Sequence, residues 1–157
     1  MAVDLPPFQH LLDAHAVDLH RFCLTQAGPD HGPDCFQETV ISALRAYPSL
    51  RDAGSLRGWL FTIAHRKVID HHRSAARRAV PVPELPDVPV DPALIEGLDG
   101  IWARVALLPD KQRGAVALRY LADLPYAEIA AALDCSEAAA RQNVRAGLAR
   151  LRAEVPA

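Results

Sequence analysis

Five prolines fall within fifteen residues near the middle of this chain, in AVPVPELPDVPVDPA, at positions 81, 83, 86, 89 and 92. Proline has no N–H to donate, and its ring collides with the preceding helical turn, so neither a helix nor a central strand runs through such a stretch. Elsewhere in the 157 residues, apolar side chains recur at helical spacing and strand signals are nearly absent. The proline run therefore divides the chain into two small helical halves and reads as an extended linker. Its alternative use is as a proline-rich ligand for another protein.

In the first half, Phe8, Leu11, Leu12, His15, Leu19, Phe22 and Cys23 share one helical face. Gly28-Pro29 is expected to end that helix and Gly32-Pro33 to open the next. Phe36, Val40, Ala43, Leu44 and Tyr47 line the second helix. Pro48 to Gly54 reads as a loop. Ser55 is placed to cap a third helix with Leu56, Trp59, Leu60, Ile63 and Val68 on its apolar side. In the second half, Ile101, Trp102, Val105 and Leu108 predict one helix, and Val116, Leu118, Tyr120 and Leu121 another after Pro109. Pro125 starts a short helix, YAEIAAALD, and Ser136 caps a last one.

Charge is distributed unevenly. The net charge is −2, but segment by segment it is −4 over 1–54, +5 over 55–78, −5 over 79–99 and +2 over 100–157. A polyanion responds to the local field more than to the total, so the third helix is the candidate for nucleic-acid contact. No apolar run approaches the ~20 residues of a membrane span. The N-terminus MAVDLPPFQHLLDAH has neither a basic region nor a long apolar core, so a cytoplasmic protein is expected. Cys23, Cys35 and Cys135 form no CxxC pair, and their odd number argues for reduced thiols. His65, His71 and His72 lack metal-ligand spacing; they are expected to meet solvent or phosphate, with no metal or other cofactor. No nucleophile elbow, phosphate loop or carboxylate pair is evident, so the chain is not expected to be an enzyme.

A short helix, a tight turn and a second helix with a polar face make a helix-turn-helix. Ile129, Ala130 and Leu133 would pack the first helix, and Ala140, Val144, Leu148, Leu151 and Val155 the second. At about 100° per residue, Arg141, Arg145 and Arg152 fall within roughly 40° of one another, while Arg150 points away. Gln142 and Asn143 lie near the helix start, where side chains reach base edges; Arg reads guanine, and Asn or Gln reads adenine.

Two blocks, DCFQETVISALRAYPSLRDAGSLRGWLFTIAHRKVIDHHRSAARR and LPDKQRGAVALRYLADLPYAEIAAALDCSEAAARQNVRAGLARLR, in this order and across this linker, resemble the extracytoplasmic-function (ECF) sigma factors of the sigma-70 family. The resemblance covers nearly the whole chain. It implies an all-α fold: a region 2 bundle of three to four helices over 1–78, a flexible proline-rich acidic linker over 79–98, and a region 4 helix-turn-helix domain over 99–157. By the same resemblance, Asp34, Gln37, Glu38 and Thr39 dock on core RNA polymerase. Tyr47, Arg51, Arg57, Arg66, Lys67, Asp70, Arg73 and Arg77, with Arg78 nearby, meet the minus-ten element. There the 48–54 loop captures a flipped base, and Tyr47 is the stacking candidate outside the core, whereas Trp59 belongs to the core. Ser136, Glu137, Arg141, Gln142, Asn143 and Arg145 meet the minus-thirty-five element.

YAEIAAALDCSE is similar to the family's LSYxEIAxxLGxSExTV, with Pro125 for Ser, Asp134 for Gly, and Ala139 and Ala140 for Thr and Val. Arg66 stands where Asn is common, and Ala146 and Leu148 stand where basic residues are common, which thins the phosphate contacts. The partners implied are bacterial core RNA polymerase, promoter DNA and an anti-sigma factor, with no membrane insertion. The acidic linker would run along basic channels of the polymerase. Two other readings remain: a stand-alone helix-turn-helix regulator, or a sigma-like adaptor that binds polymerase without reading DNA.

Overall fold

The computed structural model describes residues 4–51, 55–78 and 100–153, the side chains of 76–78 excepted. The described residues are helical: α1 (Phe8–Ala46), a 3-10 turn (Tyr47–Ser49), α2 (Leu56–Arg78), α3 (Gly100–Val105), α4 (Asp110–Tyr120), α5 (Tyr126–Leu133) and α6 (Glu137–Ala153).

α1 is two arms joined at a kink. Gly28 has φ 82° and ψ 175°, a conformation open to glycine and costly to other residues. The chain turns there and resumes a helix at once, with Pro29 at the start, where its missing N–H costs nothing. The second arm thus opens at Pro29 rather than at the expected Gly32-Pro33, which lie inside it. Gly32 serves close approach instead: a Cβ there would sit 2.9 Å from the Leu24 Cα of the first arm.

α2 packs along both arms. Phe22 and Phe61 meet edge-on, with ring centroids 5.4 Å apart, and Leu19, Cys23, Cys35, Ala43, Leu60, Ala64 and Val68 complete the buried centre. Burial pushes the Cys23 thiol up to about 12 and the Cys35 thiol to about 11, so neither forms a thiolate at neutral pH. Ser55 caps α2 as expected; its Oγ accepts from the Gly58 N–H at 3.0 Å.

In the second half, α4, α5 and α6 form the helix-turn-helix scaffold. Ile129 and Ala130 of α5 and Ala140, Val144 and Leu151 of α6 are buried, as their spacing predicts, and Leu133 and Leu148 pack at the margin. Gly147 allows α6 to press on α4, since a Cβ there would meet Val116 Cγ2 at 2.7 Å. Three expectations change. Leu44, Tyr120 and Ile101, assigned to apolar faces, are 54%, 52% and 48% exposed. Val155 lies outside the described residues.

The two halves are not packed independently. Leu121, Ala122, Leu124, Ile129, Ala130, Ala140 and Val144 belong to the same buried cluster as Phe22, Leu60, Phe61 and Val68. A smaller cluster, Val105, Leu108, Val116 and Leu151, holds α3 against α4 and α6.

Candidate polymerase and nucleic-acid interfaces

The second arm of α1 has two faces. Cys35, Thr39 and Ala43, four residues apart, point inward and are fully buried. Asp34, Gln37 and Glu38 are exposed on the other side, followed by Ile41 (48% exposed) and Leu44. Thr39, expected at the polymerase surface, is instead in the core, where its Oγ1 donates to the Cys35 carbonyl at 2.6 Å. The sequence pattern missed Ile41 and Leu44: an apolar residue on an amphipathic helix reads as core until the packing partner is known.

On α2, Arg66, Asp70 and Arg73 are exposed at i, i+4 and i+7 and share one outward face; Lys67 is half-buried and Arg51 is exposed beyond the 3-10 turn. Arg77 and Arg78 have no described side chains. Asp70 also borders an open cleft between α2 and the second arm of α1, lined by His31, Asp34, Glu38 and His71. His71 Nε2 lies 3.6 Å from Glu38 Oε2 there.

Several expectations on this helix and the turn before it are corrected. Tyr47 is in the core, 7% exposed. Its hydroxyl donates to the Pro6 carbonyl, and its ring packs between Phe8 (5.3 Å) and Trp59 (5.9 Å). A ring held this way has no free face for a base. Trp59 packs against the core while remaining half-buried, as expected.

His65 is 7% exposed rather than at the surface, packed beneath α5 beside Ala132. Burial lowers its pKa. His72 bonds the Gln26 carbonyl at 3.1 Å. Arg57, expected at phosphate, has its Nε donating to the Leu121 carbonyl at 3.0 Å and its Nη2 to Asp18 Oδ2 at 3.2 Å.

The recognition end follows the sequence closely. Asp134 ends α5 in the left-handed conformation (φ 53°, ψ 51°), and Ser136 caps α6 by accepting from the Ala139 N–H at 3.0 Å. Arg141, Arg145 and Arg152 line one groove with Tyr126, Val144 and Leu148, so the basic stripe is brought together. The Arg141 guanidinium lies 4.4 Å from the Tyr126 ring centroid and pairs with Glu137 at 2.7 Å. Arg119 covers the same ring at 4.7 Å. These contacts pre-set the direction of Arg141 while leaving its end exposed. Gln142 is exposed and Asn143 half-buried. Glu137 is spent in part on orienting Arg141.

Two family models match this architecture: Sigma-70 region 2 over residues 11–78 and Sigma-70, region 4, over residues 98–151. The ECF RNA polymerase sigma factor SigD of Mycobacterium tuberculosis is 32% identical over 152 aligned residues, covering 87% of this chain and 71% of SigD. The chain belongs to the ECF sigma factors of the sigma-70 family. SigC of Mycobacterium tuberculosis is 30% identical to this sigma factor over 132 residues, covering 81% of it and 71% of SigC.

Two solved structures share the sigma factor's fold. The sigma factor RpoE of Bartonella quintana, in complex with the anti-sigma factor NepR, has a TM-score of 0.73 at 20% identity, covering 94% of this chain and 96% of RpoE. CnrH in complex with the cytosolic domain of CnrY has a TM-score of 0.62 at 21% identity, covering 93% and 85%. No described helix of the sigma factor is long and apolar enough to cross a membrane.

Proposed function

We propose that this sigma factor binds bacterial core RNA polymerase through the exposed face of α1, directs it to a subset of promoters and promotes initiation there. Region 2 is assigned to 1–78, the linker to 79–98 and region 4 to 99–157. Asp34, Gln37 and Glu38, extended by Ile41 and Leu44, form the polymerase face: an acidic rim beside apolar side chains suits a basic helical partner. Arg51, Arg66, Lys67, Asp70, Arg73 and Arg77 meet the minus-ten element, with Arg57 joining them once it leaves Leu121. Ser136, Arg141, Gln142, Asn143 and Arg145 meet the minus-thirty-five element, and Glu137 orients Arg141.

The observation that carries this reading is the presence of both region matches in one chain, with Asp34, Glu38, Arg66, Asp70 and Arg73 of the first and Arg141 and Arg145 of the second exposed. Such a protein acts by binding rather than by catalysis, and in the cytoplasm, where polymerase and chromosome are. An anti-sigma factor is the third partner, in line with the complexes in which RpoE and CnrH were solved.

Run-off transcription with purified bacterial core polymerase on fragmented DNA from the source genome tests the proposal. Start sites that depend on this protein, and that are lost with Asp34→Ala plus Glu38→Ala, are the expected result. Polymerase that binds the protein but starts nowhere would favour the adaptor, and specific DNA binding without transcription would favour the stand-alone regulator. Arg141→Ala and Arg145→Ala should each weaken promoter binding by about 1–3 kcal/mol.

A further inference from the structure

The arginines of the recognition groove differ in their surroundings. Arg141, Arg145 and Arg152 all border it. The Arg141 guanidinium lies 4.4 Å from the Tyr126 ring centroid, and its Nη2 is 2.7 Å from Glu137 Oε1. Arg145 is exposed, and among the described residues it has neither kind of contact.

The Tyr126 ring is itself held in place. Tyr126 opens α5 directly after Pro125, whose φ of −67° is locked by its own ring. Leu124, one residue earlier, is buried at 1% exposure. Arg119, at the end of α4, donates from Nη1 to the Leu124 carbonyl at 3.0 Å, and its guanidinium lies 4.7 Å from the Tyr126 ring centroid. Two cations therefore share one aromatic ring. Arg119 is half-buried and tied to the backbone of the scaffold, whereas Arg141 is exposed on the recognition helix.

Stacking and base reading use different parts of a guanidinium. An aromatic ring attracts the cation over its face, whereas guanine O6 and N7 accept from its N–H edge. Glu137 accepts from Nη2 of Arg141, and four of the five guanidinium N–H donors stay available for a base. An unrestrained long side chain loses rotamer freedom when it docks, which weakens binding by about 2- to 12-fold. Arg141 has lost that freedom before any DNA arrives.

We propose that Tyr126 is a positioning residue for promoter recognition: its ring holds Arg141 in the base-reading direction and so sets the strength of the sequence preference at the base pair Arg141 meets, leaving the one Arg145 meets unaffected. The proposal rests on the sigma-factor reading for its DNA and on the ring, not the hydroxyl, for its cause. A tyrosine hydroxyl bonded to a phosphate would act on every sequence alike.

Competition binding of holoenzyme, reconstituted from core polymerase and the full chain, tests this. The probe is a promoter duplex taken from the run-off start sites, with each base pair of the minus-thirty-five element varied in turn. Arg141→Ala and Arg145→Ala first assign a base pair to each arginine. Tyr126→Leu should weaken binding by about 2- to 12-fold, lower discrimination at the Arg141 base pair only, and add nothing in the Arg141→Ala background. Tyr126→Phe, which keeps the ring face, should bind within about 2-fold of the unaltered chain. If circular dichroism shows that Tyr126→Leu misfolds, Tyr126→Met takes its place. In the unaltered chain without DNA, the Arg141 Nε–H resonance should be moved upfield by the ring.

A Tyr126→Phe variant as impaired as Tyr126→Leu would assign the effect to the hydroxyl and overturn the proposal. Equal loss at every base pair, a Tyr126→Leu effect undiminished in the Arg141→Ala background, or an Arg141 resonance without a ring shift would do the same. A chain that shows the ring shift, yet whose holoenzyme prefers no promoter duplex, would overturn the sigma-factor reading and the positioning role with it.

Discussion

Asp134 adopts φ 53° at the turn between α5 and α6, and the residue type could not have announced it. Aspartate tolerates the left-handed region better than most residues, but glycine enters it freely. Relieving about 1–2 kcal/mol of strain against about 0.5–1 kcal/mol of added unfolded-chain entropy predicts that Asp134→Gly stabilises by about 0.5–1 kcal/mol. The midpoint of urea unfolding would show it. The cysteines give a second prediction. Cys23 and Cys35 are buried with raised pKa values, while Cys135 is half-buried. Iodoacetamide at pH 8 should therefore modify Cys135 well before the other two, as read by peptide mass spectrometry. Reduced, buried thiols were legible from composition; which of the three remains reachable was not. Tyr47 and Thr39 teach the same lesson. Each has a polar end and an apolar body, and only the partner chosen by the fold decides which end governs.

At the scale of the element, the helix-turn-helix was legible almost to the residue. Capping by Ser136, the buried row Ile129, Ala130, Ala140 and Val144, and the convergence of Arg141, Arg145 and Arg152 depend on neighbours within one or two turns. Ser136→Ala should destabilise α6 by about 1 kcal/mol through the lost cap, and amide exchange in its first turn should rise correspondingly. The kink in α1 was placed correctly at Gly28, yet the helix restart was not. Gly32-Pro33 carries the same local signal as Gly28-Pro29, and the contact of Gly32 with Leu24 decides between them. The exposed pair Ile41 and Leu44 was hidden for the converse reason: amphipathic periodicity marks an apolar position without saying whether its partner is intramolecular.

Across the whole molecule, the buried cluster links Phe22 and Phe61 to Leu124 and Ile129, so the two halves should share stability. Phe61→Ala should cost about 3–5 kcal/mol and should also reduce amide protection in α5, which lies in the other half. Unchanged exchange in α5 would mean the halves are uncoupled. The sequence by itself determined the all-helical class, the two blocks and their order, and the basic stripe of α6. Each of these depends on backbone chemistry and on periodicities of a few residues. The tertiary structure alone decided that Arg57 is held by Leu121 and Asp18, that Tyr47 and Thr39 are core, and that His65 is sealed beneath α5. For Arg57 and Tyr47 those outcomes turn on partners far away in the chain, Asp18 and Leu121 for the one and Pro6 for the other, and no local pattern encodes which distant surface will arrive.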